Sequence, residues 1–340
     1  MTAPRRIRPR AAVAMAPDAA AAVLTPDART ELARICELTP GPVLDDFRTD
    51  RARAVLRDVE VLITGWGCPP LDAAALDAAP RLRAVVHAAG SVRGHVTQEC
   101  WDRGIEVSSA ASANALPVAE YTVAMILLTG KRVLERSRDF RVTRSRDNWL
   151  DTLHDVGNFG RTVGILSASL VGRRVIELLR PHDLRVLLHD PYVSASEASL
   201  LGVEAVGIGE LFARSDVVSI HTPLLPTTRG LVSAELIAAM RPDAVLINTA
   251  RGAVVDQDAL GEAAAAGRVR AVLDVTDPEV LPPGHPLWDS PSVLITPHLA
   301  GSQGNEWRRL ADLAVSEVAR WAAGAGFAYE VRRDSLGRTA

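Results

Sequence analysis

Short apolar runs separated by helical stretches constrain this chain more than any other feature. Such runs fall at 11–15, 60–65, 83–88 and 105–109, and again at 162–166, 185–189, 216–220, 244–248, 270–274 and 293–296. Four to six consecutive apolar residues suit a strand covered on both faces, and strands alternating with helices make a parallel α/β architecture. At 340 residues, 48% of them hydrophobic, the chain has material for two cores, since one core stops growing near ~250 residues. A helical pattern at 71–79 ends before Pro80. A long helix is expected to begin near Pro117, whose fixed φ suits a first turn, and to run to Gly130. It is apolar on most faces, so it is expected in the domain interior or at a subunit interface. Residues 136–160 are charged and aperiodic and read as a surface loop or arm. The segment 303–323 reads as a helix that packs back on the first third.

Charge excludes some partners. Charged residues make up 23% and the net charge is -3, which gives no footing for nucleic acid or an anionic membrane. Lys131 is the only lysine, and the arginine excess reads as genomic base composition. Cys36, Cys68 and Cys100 are odd in number and lack metal-ligand spacing, so no metal is expected and a reducing cytoplasm fits. No apolar run is expected to reach the ~18–20 residues of a membrane span. The start, Arg5-Arg6 before an alanine-rich stretch, is interrupted by Pro17 and Asp18 and reads as a first strand rather than a secretion signal.

One strand–turn–helix–strand unit carries a ligand signal. After 162–166 come Ser167-Ala168-Ser169-Leu170-Val171-Gly172, then a helix, then 185–189 ending at Asp190. A helix N-terminus offers unpaired N–H groups and a positive dipole end to a diphosphate. Asp190 is placed to accept both ribose hydroxyls and would repel a 2′-phosphate, favouring NAD over NADP. Of three usual glycines only Gly172 remains, with Ser167 and Ser169 in the other places. On this motif alone an ordinary βαβ unit without ligand stays open.

In an open parallel sheet, ligands gather beyond the carboxyl ends of the strands. There the sequence places His221-Thr222-Pro223, then Thr249-Ala250-Arg251-Gly252, then Asp274 with Glu279, then Pro297-His298. Any one of these alone is ordinarily a cap or a solvated side chain. Together they suit ketone reduction: an imidazole titrating near neutrality to move the proton, a carboxylate to orient it, and a guanidinium fork for a substrate carboxylate.

On these segments the chain resembles the D-isomer-specific 2-hydroxyacid dehydrogenases. The resemblance rests on Asn114 to Tyr121, Thr162 to Leu166, His189-Asp190-Pro191-Tyr192, His221-Thr222-Pro223-Leu224, Ile247 to Asp256, Leu273-Asp274-Val275 with Glu279, His285-Pro286-Leu287-Trp288 and Thr296-Pro297-His298. It implies a Rossmann NAD-binding domain, 113–300, inserted into a flavodoxin-like substrate domain of 1–112 and 301–340, with a cleft between them. It implies that Arg251 binds the substrate's carboxylate and carbonyl, that His298 is the acid/base and that Glu279 is its partner. Asp274 would contact the nicotinamide carboxamide, and Asp190 the adenosine ribose. Thr222, Pro223 and Thr228 would line the adenine side. Ser167, Ser169, Leu170, Val171, His221, Thr249, Ala250 and Gly301 complete the expected cofactor set. Backbone N–H groups of Gly90, Ser91 and Val92 would face the substrate carboxylate. A homodimer with the helix at 118–128 near its twofold is the family expectation.

The chain departs from the family pattern at Ser167, Ser169 and Leu170, which bears on NAD affinity. It also departs at Ala89 to His95, where a second glycine and an Asp-Asn pair are missing, which bears on substrate identity. The reading is an NAD-dependent reductase or dehydrogenase of a small 2-oxo/2-hydroxy acid. The alternative is a non-catalytic NAD(H)-sensing protein on the same fold.

Overall fold

A computed structural model describes residues 8–145 and 156–336. The chain divides into two compact units, 1–115 with 302–340, and 116–301. The first unit holds β1 (Arg10–Ala14), β2 (Glu37–Leu38), β3 (Val61–Thr64), β4 (Ala84–His87) and β5 (Glu106–Ser109). They form one parallel sheet in the order β2-β1-β3-β4-β5. Alternate residues of these strands serve two cores. Val13, Ile63 and Val86 pack with Leu32, Leu310 and Val318, while Ala12, Leu62 and Val85 pack with Leu56, Leu76 and Cys100. The helix Trp307–Ala322 lies against helices Pro17–Val23 and Pro26–Ile35, so the C-terminal segment closes the sheet built by the first third.

The second unit holds β6 (Thr162–Leu166), β7 (Arg185–His189), β8 (Glu204–Ala205), β9 (Val217–Ile220), β10 (Ala244–Asn248), β11 (Val269–Leu273) and β12 (Val293–Ile295). The sheet order is β12-β11-β10-β9-β6-β7-β8, all parallel. The chain leaves β6 in one direction to build β7 and β8 and returns to its other side with β9. The switch point, where ligands of such sheets gather, is therefore at the β6/β9 boundary. Both faces are covered: Val218, Ile220 and Leu246 face Phe212 and Leu260, while Val163, Ile165 and Ile247 face Val175, Ile176 and Leu179.

Three expectations change. The long helix is Ala111–Gly130 and begins six residues before Pro117, which lies inside it. Proline forfeits its bond to the carbonyl four residues back, but a 20-residue helix with Ala119, Val123 and Ile126 in the core retains ample support. By length and composition this same helix is apolar enough to cross a membrane, contrary to the expectation that no run reaches that size. Residues 136–143 of the expected arm belong to a helix, Val133–Thr143, with no buried residue, so it carries no apolar stripe to read. The part of the arm at 146–155 lies outside the described residues.

Candidate active site

In the second unit, the turn after β6 is built tightly enough that side chains must be absent or bonded. A Cβ on Gly172 would stand 2.1 Å from the Ser167 carbonyl oxygen, so only glycine lets the helix Leu170–Leu179 begin so close to the strand. Ser169 caps that helix, its Oγ accepting from the Gly172 N–H at 3.3 Å. The first-turn N–H groups of Leu170 and Val171 have no acceptor within the helix. The Leu170 side chain is exposed. Ser167 takes φ 81°, a left-handed conformation. Its hydroxyl donates to Asp190 Oδ2 at 3.1 Å, and the Ala168 N–H donates to the same oxygen at 2.8 Å. Thus the two serines do different work: one caps a helix and the other ties the turn to the acid at the end of β7.

At the end of β9, His221 is buried with its Nε2 2.9 Å from Ser219 Oγ and its Nδ1 without a partner, and burial pushes its pKa down to about 3. It is neutral at any ordinary pH. Thr222 Oγ1 reaches the Leu166 carbonyl at 3.4 Å. Thr228 Oγ1 donates to the Pro223 carbonyl at 2.6 Å and accepts from the Leu225 N–H at 2.8 Å, so it shapes the loop that presents Pro223. First-turn amides with no acceptor in their own helix, a glycine-only approach and an orphaned buried imidazole nitrogen all sit at the switch point. That set fits a dinucleotide, whose diphosphate would lie on the Leu170 and Val171 amides.

Next along the edge, the turn after β10 is folded on the amide of Asn248. Its Nδ2 donates to the Arg251 carbonyl at 2.9 Å and its Oδ1 accepts from the Ala250 N–H at 3.0 Å. Thr249 Oγ1 is 3.2 Å from Thr122 Oγ1 on the long helix. Arg251 Nη1 donates to the Ala250 carbonyl at 2.6 Å. A Cβ on Gly252 would fall 2.1 Å from the Thr276 carbonyl carbon. The Arg251 turn therefore abuts the loop that leads to Glu279. Gln257 fastens the same junction, with bonds of 3.2 and 3.1 Å to the Asp277 carbonyl and N–H.

The last two strand ends converge. Asp274, buried at the end of β11, accepts at Oδ1 from Thr296 Oγ1 at 2.6 Å and the Leu299 N–H at 2.9 Å, and at Oδ2 from the Ala300 N–H at 3.0 Å. Tyr121 Oη lies 2.9 Å from Thr296 Oγ1 and extends the network, and burial raises its pKa. His298 sits in this turn at φ 50°, and its Nδ1 is 2.6 Å from Glu279 Oε1. Half of each side chain is exposed, so the pair meets solvent. Glu279 and His298 are thus brought together as the sequence suggested. Asn248, Thr296 and Tyr121, which the sequence reading did not single out for roles, hold the turns that present Arg251 and His298. Gly301 ends this turn and the second unit. In the first unit, the Gly90 carbonyl accepts from Ser109 Oγ at 2.9 Å, Ser91 Oγ accepts from the Arg93 N–H at 3.4 Å, and Val92 is buried.

A family model for the D-isomer specific 2-hydroxyacid dehydrogenase NAD binding domain matches residues 123–300. A glyoxylate reductase of Korarchaeum cryptofilum is 32% identical over 253 residues, 73% of this chain and 76% of that protein. One from Aeropyrum pernix is 34% identical over 260 residues, 75% and 77% of the two chains. A D-3-phosphoglycerate dehydrogenase of Mycobacterium bovis is 32% identical over 255 residues, 74% of this chain, but the match spans only 47% of that protein. Among solved structures, a Thermus thermophilus protein superposes with TM-score 0.75 at 29% identity, covering 95% of this chain and 100% of that one. The D-mandelate dehydrogenase of Rhodotorula graminis shares the fold, with TM-score 0.80 at 22% identity over 96% and 98% of the two chains. The chain belongs to the D-isomer-specific 2-hydroxyacid dehydrogenase family, and its second unit is an NAD-binding domain.

Proposed function

We propose that the protein is an NAD-dependent oxidoreductase of small 2-oxo/2-hydroxy acids, working in the cytoplasm as a homodimer. The observation that carries this reading is the 2.6 Å bond between His298 Nδ1 and Glu279 Oε1. With Nδ1 donating to the carboxylate, Nε2 is the nitrogen left to exchange a proton with the substrate oxygen, and the carboxylate stabilises the imidazolium that protonates it. Bound NAD(H) supplies or accepts the hydride. Arg251 binds the substrate carboxylate and polarises the C2 carbonyl. In reduction, His298 gives its Nε2 proton to the carbonyl oxygen; in oxidation it takes the hydroxyl proton back. Asp274 holds the His298 turn and would take the nicotinamide carboxamide as a further partner. The glyoxylate reductases among the relatives support a small 2-oxo acid as substrate.

The test is a panel of 2-oxo acids with NADH and NADPH in parallel. Arg251→Ala and His298→Ala are each expected to lower kcat/KM at least ~10²-fold, as removal of a general acid does. Near-normal turnover in either variant contradicts the assignment. NADH binding with no oxidation by any acid in the panel favours the sensor instead.

A further inference from the structure

Asp190 is already crowded. Its Oδ2 accepts from Ser167 Oγ at 3.1 Å and the Ala168 N–H at 2.8 Å, and its Oδ1 accepts from the Tyr192 N–H at 2.8 Å. An ionised carboxylate offers about four lone-pair positions, so about one remains. A ribose cis-diol brings two hydroxyl donors. Two of the three resident donors are backbone amides, fixed by the turns after β6 and β7. The third is a side-chain hydroxyl that swings away by rotation about one bond.

We propose that the Ser167 hydroxyl is a displaceable occupant of the ribose-binding carboxylate. It holds Asp190 in the cofactor-free protein and yields its place to one ribose hydroxyl when the dinucleotide binds. Ser167 is thereby a positioning residue that acts through Asp190 and sets the affinity for the adenosine ribose. The inference rests on the assignment of Asp190 to the ribose and is independent of the roles given to Arg251, Glu279 and His298. A second feature of the residue separates cleanly from the first. At φ 81° serine occupies a conformation that glycine adopts freely. Ser167→Ala removes the hydroxyl and keeps the strained backbone; Ser167→Gly removes both.

Dissociation constants of the full chain decide the matter, measured by calorimetry for NADH and for its analogue lacking the adenosine 2′-hydroxyl. Ser167→Ala is expected to tighten NADH by about two- to tenfold, the span of one net intramolecular hydrogen bond. It is expected to leave the 2′-deoxy analogue unchanged, because a single donor takes the open position without displacing the serine. Ser167→Gly should bind NADH at least as tightly as Ser167→Ala and melt at a higher temperature. Weaker or unchanged NADH binding in Ser167→Ala, or an equal gain for both ligands, overturns the proposal. A ligand-selective gain alongside full turnover in Arg251→Ala would keep this inference and remove the catalytic one; the reverse pattern would do the opposite.

Discussion

Gly172 and Gly252 meet one kind of demand and Gly261 another. At the first, a Cβ would meet the Ser167 carbonyl oxygen at 2.1 Å; at the second, the Thr276 carbonyl carbon at the same distance. Both neighbours are backbone, so relief requires a turn to move. At Gly261, inside the helix Gln257–Ala265, the nearest atom is the flexible Leu287 side chain at 3.7 Å, an ordinary contact. Gly172→Ala and Gly252→Ala are expected to lose about 1–3 kcal/mol of stability, the usual cost of forced overpacking. Gly261→Ala is expected to gain up to about 1 kcal/mol from helix propensity. Urea midpoints of the three variants check the ordering. Site readouts should split the first two: Gly172→Ala damages NADH binding through the turn after β6, and Gly252→Ala damages kcat/KM through the Arg251 turn. Equal stability in all three would mean that the close approaches are not enforced. The sequence made Gly172 visible as a surviving glycine of a motif. The first glycine place of the same motif also implies the glycine-like backbone that Ser167 adopts at φ 81°, but no local pattern announces that its Oγ bonds Asp190, a contact 23 residues away.

The β11 and β12 strand ends form one element of the site, and Asp274 joins them. Its three accepted bonds fix Thr296, Leu299 and Ala300 around His298. Asp274→Asn keeps the shape but sets an NH2 group against a backbone N–H, leaving one buried donor unsatisfied at about 1–3 kcal/mol. If that cost falls on the turn, His298 shifts relative to Glu279, and kcat/KM should drop roughly tenfold or more while the chain still folds. Tyr121→Phe removes only the outer bond to Thr296 and should fall short of that. Steady-state kinetics with circular dichroism on both variants distinguish the cases, and an Asn variant with unaltered kcat/KM would show that the turn stands without Asp274. Legibility at this scale followed burial. The longer strands were readable because parallel strands buried on both faces are continuous apolar runs. β2 and β8 have two residues each and carry no such signal. The helix Val133–Thr143 buries nothing, so charge without period read as loop. The start of the helix Ala111–Gly130 was missed because proline usually marks a first turn, and here it sits in the body.

Across the whole molecule, buried neutral histidines tie stability to pH. In the first unit the Thr64 hydroxyl lies between two imidazoles, 3.0 Å from His87 Nδ1 and 3.1 Å from His95 Nε2, with ring centroids 4.5 Å apart. Burial lowers the pKa of His87 to about 3, the nearby His95 adding to the shift, and burial lowers that of His95 to about 4. In the second unit His221 stands at about 3 for the same reason. Unfolded, each titrates near its ordinary value of 6.5. Between those limits the unfolded chain binds more protons than the folded one, so stability rises with pH and is lost as pH falls from about 6.5 toward 4. One histidine fully in that window contributes a slope of about 1.4 kcal/mol per pH unit. Carboxylates with lowered pKa values, Asp46, Glu204 and Glu235, act only below their ordinary 3.8 to 4.5, so the interval from 6.5 to 5 belongs to the histidines. Among the described residues the first unit carries two such groups and the second one, so acid should weaken the first unit with about twice the slope. Urea unfolding followed at pH 7.5, 6.5, 5.5 and 5.0, with a probe in each unit, measures this directly. Trp101 and Trp321 report the first unit and Trp288 the second. His87→Gln, which is neutral throughout, should cut the first unit's slope by about half, leaving the contribution of His95, and leave the second's intact. A midpoint that does not move between pH 7.5 and 5.0 in either unit would mean that these imidazoles gain protons without unfolding, and that the interiors around them open to water more readily than their packing implies.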